Sequence, residues 1–117
     1  MSNREELLLL NDILSAGIKI LKFTQAMNFK RFMEDEKTQD ACIRNFEIIG
    51  EASKYISEET MITNPEIEWR KMANYRNLLI HEYFGVNLEI VWDIIKNELE
   101  DTIHFIQLII DESNKNL

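Results

Sequence analysis

Residues 4–27 read REELLLLNDILSAGIKILKFTQAM. Leu7, Leu10, Leu14, Ile18 and Leu21 fall three or four positions apart, which places them on one face of an amphipathic helix. Leu8, Leu9, Ile13 and Ile20 widen that stripe beyond what one partner helix would cover.

The same spacing recurs downstream. A short turn around Phe29 to Glu34 leads to a second long helix, over roughly 35–58, with Ile43, Phe46, Ile49, Ser53 and Ile56 along one side. Gly50, with no Cβ, leaves room there for another backbone. Asn64-Pro65 is the strongest breaker, because proline confines its predecessor to extended conformations. A third helix is expected from about Glu68 toward Tyr83, with Trp69, Met72, Leu79 and Ile80 in the core. Gly85 follows its end, where a left-handed cap is common. Asn87 suits the N-cap of a last helix that carries Leu88, Val91, Ile95, Leu99, Thr102, Ile106 and Ile109. The pattern predicts one domain over 1–117, an all-α antiparallel bundle of four main helices plus a short connecting helix or turn.

Composition agrees with that reading. One proline and three glycines leave little turn chemistry, which favours a few long helices over many strands. Cys42 is the single cysteine, so neither an internal disulfide nor a zinc-finger pattern can form. The start, MSNREELLLL, has the form of neither a signal peptide nor a membrane span, which needs about 20 apolar residues. A cytoplasmic location is the expectation. The net charge of -8 argues against avid nucleic-acid binding through the overall field, since such affinity comes from neutralising phosphates with Lys and Arg. Any action on RNA must use a small local site.

Several chemistries can be set aside. Gly17, Gly50 and Gly85 are isolated, so there is no phosphate-cradling loop. Asp101 and His104 have the carboxylate–histidine spacing of di-iron bundles, but such sites need the motif twice together with two further glutamates. His104 therefore reads as an exposed histidine supported by Glu100, and no metal or cofactor is expected.

One stretch departs from ordinary core chemistry. In YRNLLIHEYFGVN (75–87), Arg76, Asn77, His81 and Tyr83 sit among Leu78, Leu79, Ile80 and Phe84. On a continuous helix Asn77 and His81 are i, i+4 neighbours, and Arg76 and Tyr83 lie seven apart, so each pair shares a face. Taken singly, each has a plain structural account. A histidine on a half-apolar helix is usually a satisfied core group, and an arginine usually pairs with an acid such as Glu47 or Glu51. Four such groups within eight residues are harder to assign to packing.

Arg76-Asn77, three residues, His81, one residue and Tyr83 together resemble the signature of the HEPN superfamily. The likeness extends to IRNFEIIGEASKYISEE (43–59), NPEIEWRKMANYRN (64–77) and YFGVNLEIVWDII (83–95), which resemble the HepT-like branch. Tyr75 departs from it, standing where that branch often has an aliphatic residue, and Glu82 puts an acid between His81 and Tyr83. The resemblance implies a helical toxin with metal-independent endoribonuclease activity at a site built where two protomers of a homodimer meet. It also implies a partner, an MntA-type minimal nucleotidyltransferase antitoxin, which silences the toxin by transferring AMP to Tyr83.

The residues suit that chemistry. RNA carries its own nucleophile, the 2'-hydroxyl, so cleavage needs a proton acceptor, a proton donor and a cation. An imidazole titrating near pH 6.5 can serve in either proton role, which suits His81. Arg76 offers a planar fork of donors to phosphoryl oxygens. Asn77 is placed to orient His81 or to hold a phosphate oxygen. One chain has a single suitable histidine, and a symmetric dimer would supply two. Two other classes fit the same residues: a non-catalytic module that docks a nucleotidyltransferase and completes its cleft, and a structural dimer with an internal polar network.

Overall fold

A computed structural model describes residues 3–81 and 85–115, and for Asn3 and His81 the backbone alone. The first segment forms α1 (Asn3–Thr24), with Glu5 and Glu6 in its first turn and Lys22 in its last, the charge order that complements a helix dipole. α1 packs along both α3 (Glu36–Ser53) and α8 (Leu99–Lys115), which accounts for the width of its apolar stripe. Leu10, Ile13, Ala16 and Ile20 are all buried, so Ile13 and Ile20 belong to the core. Each of the leucine and isoleucine side chains stabilises the fold by about 1.5–3 kcal/mol relative to exposure. The large apolar side chains of α1 left outside are Leu8, Ile18 and Phe23.

α1 and α3 run antiparallel, and their ends are tied together. The Glu6 carboxylate accepts the Ser57 N–H at 2.6 Å and the Thr60 hydroxyl at 2.7 Å. Burial alone would raise this carboxyl, but the hydrogen bonds from Ser57 and Thr60 outweigh it and hold its pKa below the ordinary 4.5.

The stretch from Phe29 to Glu34 is a helix, α2 (Phe29–Glu34), capped by Asn28, whose side chain accepts the Arg31 N–H at 2.9 Å. α3 stops at Ser53, short of the expected boundary, and α4 (Glu58–Thr63) follows, capped by Ser57 and closed at Asn64 before Pro65. Burial in the α3 region pushes the Cys42 thiol up to about 12, so it is an inert core group.

The helix expected over 68–83 is interrupted. α5 (Trp69–Ala73) and α6 (Tyr75–Leu79) are separated by Asn74, and the chain then leaves helical geometry at Ile80, with φ -119° and ψ 117°. β1 (Ile80–His81) pairs antiparallel with β2 (Gly85–Val86), Ile80 opposite Val86 and His81 opposite Gly85. The Asn87 N–H donates to the Leu79 carbonyl at 2.8 Å, satisfying a group that a continuing helix would have used. Gly85 does adopt the left-handed region, φ +77°, but in the return of this hairpin rather than as a helix cap.

Asn87 caps α7 (Leu88–Asn97) as expected, accepting the Ile90 N–H at 3.2 Å. The expected last helix is in fact α7 and α8, broken at Glu98, φ -129° and ψ -38°. The Glu98 carboxylate turns instead to the Lys71 ammonium, 2.6 Å away. Phe32 of α2 lies against Trp92 of α7, ring centroids 5.1 Å apart, and closes the bundle at that end. The architecture is the expected all-α bundle, with a two-residue ladder as its only paired strands among the described residues. No described helix is long and apolar enough to cross a membrane.

Candidate active site

The segment carrying Arg76 is held to α3 by a close backbone approach at Gly50 and by one aromatic pair. Tyr75 is buried and meets Phe46 edge-on, centroids 5.2 Å apart and planes at 87°, a favoured aromatic geometry. Burial, with the carboxylates of Glu98 and Glu68 adding to it, pushes the Tyr75 phenol well above its ordinary value of 10. Tyr75 is therefore a neutral anchor. Each helical residue advances by about 100°, so anchoring Tyr75 inward turns Arg76 and Asn77 outward, and both are exposed.

Arg76 stands at the edge of a narrow crevice bordered by Ile43, Glu47, Leu79 and Ile80. Among the described residues no carboxylate lies within 4.0 Å of its guanidinium. Glu51, one of the two acids expected to neutralise it, is paired with Lys54 at 3.3 Å instead. Glu47 borders the same crevice without forming the pair. A guanidinium with no carboxylate partner among the described residues, on a chain of net charge -8, offers a phosphate a local cationic site.

Asn77 does not reach forward along a helix, since α6 ends at Leu79. The shared helical face expected for Asn77 with His81 is therefore absent, and the one expected for Arg76 with Tyr83 lies outside the described residues. The Asn77 amide instead donates back to Asn74 Oδ1 at 2.7 Å. His81 is placed by its backbone, which pairs with Gly85 on the hairpin. Its side chain, and the whole of Tyr83, lie outside the described residues.

Asn74 is the residue that sequence reasoning passed over. Its signal was available as an Asn-x-x-Asn spacing that brackets the arginine, but a continuous helix expected through that point hid it. His104 is exposed, its ring leaning toward Phe105, and no ion pair with Glu100 forms. Among the described residues no three His, Cys, Asp or Glu side chains converge as a metal-binding group.

Comparison with known proteins bears on this constellation. The family described as Ribonuclease HepT-like matches residues 13–109. A Methanocaldococcus jannaschii protein provisionally named an RNase is 45% identical over 103 residues, covering 88% of this chain and 85% of that protein. A Thermococcus cleftensis protein named a probable ribonuclease HepT is 47% identical over 90 residues, 77% of this chain and 82% of its own. A shorter match, 34% identity over 55 residues, joins 46% of this chain to 41% of a Shewanella oneidensis protein named mRNA nuclease HepT. No solved structure matches.

Proposed function

This chain belongs to the HepT-like ribonuclease family, and from that membership we propose that it is the toxin of a toxin–antitoxin pair, a metal-independent endoribonuclease acting through Arg76 and His81. The observation that carries the reading is the exposed Arg76 with no carboxylate partner among the described residues, five positions ahead of His81 in the family's spacing. The names of the relatives supply the substrate class.

In this mechanism one His81 accepts the proton of the RNA 2'-hydroxyl. O2' attacks the adjacent phosphorus, Arg76 takes the charge that gathers on the phosphoryl oxygens, and the bond from phosphorus to O5' breaks. The partner subunit's His81 gives a proton to the departing O5'. Each protomer offers one such histidine, so a homodimer with residues 76–83 of both chains facing a shared cleft completes the acid–base pair. Asn77 supports that pair.

Control falls to Tyr83. A nucleotidyltransferase antitoxin binds the toxin, the Tyr83 oxygen attacks the α-phosphorus of ATP, pyrophosphate leaves and the phenolic proton is lost. The adenylate so attached sets an anion beside Arg76 and fills the cleft, and the fold is unchanged. The activity is tested by incubating the purified chain with a defined RNA in EDTA and analysing the ends produced. Fragments ending in a 2',3'-cyclic phosphate and beginning with a 5'-hydroxyl are expected. RNA left intact in EDTA, with tight binding to a nucleotidyltransferase, would replace the nuclease with a docking module.

A further inference from the structure

Asn74 occupies the N-cap position of α6 yet does not cap it. Elsewhere in the fold Asn28, Asp35, Ser57 and Asn87 stand at the same position, and each accepts the backbone N–H three residues on, at 2.9, 3.0, 3.2 and 3.2 Å. That is what these residue types do at a helix start. Asn74 has the right chemistry for the same bond to the Asn77 N–H. Its Oδ1 instead accepts from the Asn77 side-chain amide, at 2.7 Å.

This exchange has a consequence for the residue beside Arg76. An asparagine amide can present either its oxygen or its nitrogen in a given direction, and an exposed one ordinarily samples both. With one N–H of Asn77 held by Asn74, that amide is restrained, leaving its Oδ1 as an acceptor and its second N–H as a donor. Asn74 is itself set by the helix break, its backbone N–H bonding to the carbonyls of Arg70 and Lys71 at 3.1 Å each. The clamp is thus built on the fixed backbone that also positions Arg76.

We propose that Asn74 is a positioning residue of the cleavage site, holding the Asn77 amide in one orientation beside Arg76. The proposal rests on the ribonuclease reading above.

The test is RNA cleavage by the wild-type chain and by Asn74→Ala, Asn74→Asp, Asn77→Ala and Asn74→Ala/Asn77→Ala, with the Asn77 side-chain amide followed by NMR. Misplacing a group near the chemistry by about 1 Å costs up to 100-fold, and Asn74→Ala should lower kcat about tenfold with KM within twofold. Asn74→Asp, which keeps the acceptor, should recover most of that loss. In the Asn77→Ala background Asn74→Ala should cost nothing further, because residues acting through one contact are not additive. The two Asn77 amide protons should be well separated in the wild type and draw together in Asn74→Ala. An active wild type in which Asn74→Ala leaves kcat unchanged, or lowers it equally with and without Asn77, overturns the positioning role and leaves the ribonuclease reading standing. A wild type that binds RNA but cuts none removes both, whatever the NMR shows.

Discussion

Gly50 of α3 and Met72 of α5 approach so closely that a Cβ built on Gly50 would sit 3.1 Å from the Met72 carbonyl oxygen. This contact sets the distance between the central helix and the segment that carries Arg76. Gly50→Ala should gain about 1 kcal/mol in helix propensity and lose about 1–3 kcal/mol to overpacking. A net loss of about 1 kcal/mol lowers Tm by about 4 °C for a domain of this size. Thermal melting checks it, and Gly50→Val should do worse. A Gly50→Ala protein more stable than wild type would mean that α5 moves freely on α3.

The Glu6 tie makes stability depend on acid pH. Its carboxyl is held below the ordinary 4.5 in the folded chain, so the unfolded chain binds the proton more readily. The stabilisation is present above pH 4.5 and is lost as pH falls through the folded-state value. Glu6→Gln should cost about 1 kcal/mol at pH 7, the group being largely solvent-screened. The gap between Glu6→Gln and wild type should close in acid. Denaturant melts at pH 7 and pH 3 measure it, and an equal gap at both would remove the linkage.

Most of the fold was legible because periodicity reports burial. The Ile43, Phe46, Ile49, Ser53 and Ile56 side, the close approach at Gly50 and the cap at Asn87 all rest on local rules, and all three are found, with Ile43 only half-buried. The interruptions were not legible. The breaks at Asn74, Ile80 and Glu98 leave the apolar spacing intact, and at the last two the freed groups meet partners outside their own helix. Glu98 pairs with Lys71, and the Asn87 N–H satisfies the Leu79 carbonyl. Tyr75 shows the same limit at the site. As an isolated departure from a family pattern it carried no meaning, whereas its packing on Phe46 explains why the next residue faces outward.

A shared cleft predicts complementation. Arg76→Ala and His81→Ala chains, each inactive alone, should regain a small part of the RNA cleavage on mixing, because the mixed dimer brings one intact arginine and one intact histidine to the same cleft. The missing second histidine keeps it well below wild type. Sedimentation should show a dimer at micromolar concentration. A monomer cleaving at the full rate would exclude a site drawn from two chains.

Silencing at Tyr83 predicts a covalent mark. Co-expression with the cognate nucleotidyltransferase and ATP should add one or more adenylate masses to the peptide containing Tyr83. Tyr83→Phe should keep its fold and much of its nuclease activity yet escape the modification and remain toxic. Equal neutralisation of Tyr83→Phe and wild type by the antitoxin would place control elsewhere.

The central claim is that Arg76 and His81 perform the chemistry, and single-turnover RNA cleavage in EDTA measures it most directly. Arg76→Ala and His81→Ala should each lose about 100-fold or more in rate with helicity unchanged, while His104→Ala, altering an exposed histidine outside the site, matches wild type. A His81→Ala chain that cleaves at the wild-type rate would contradict the account.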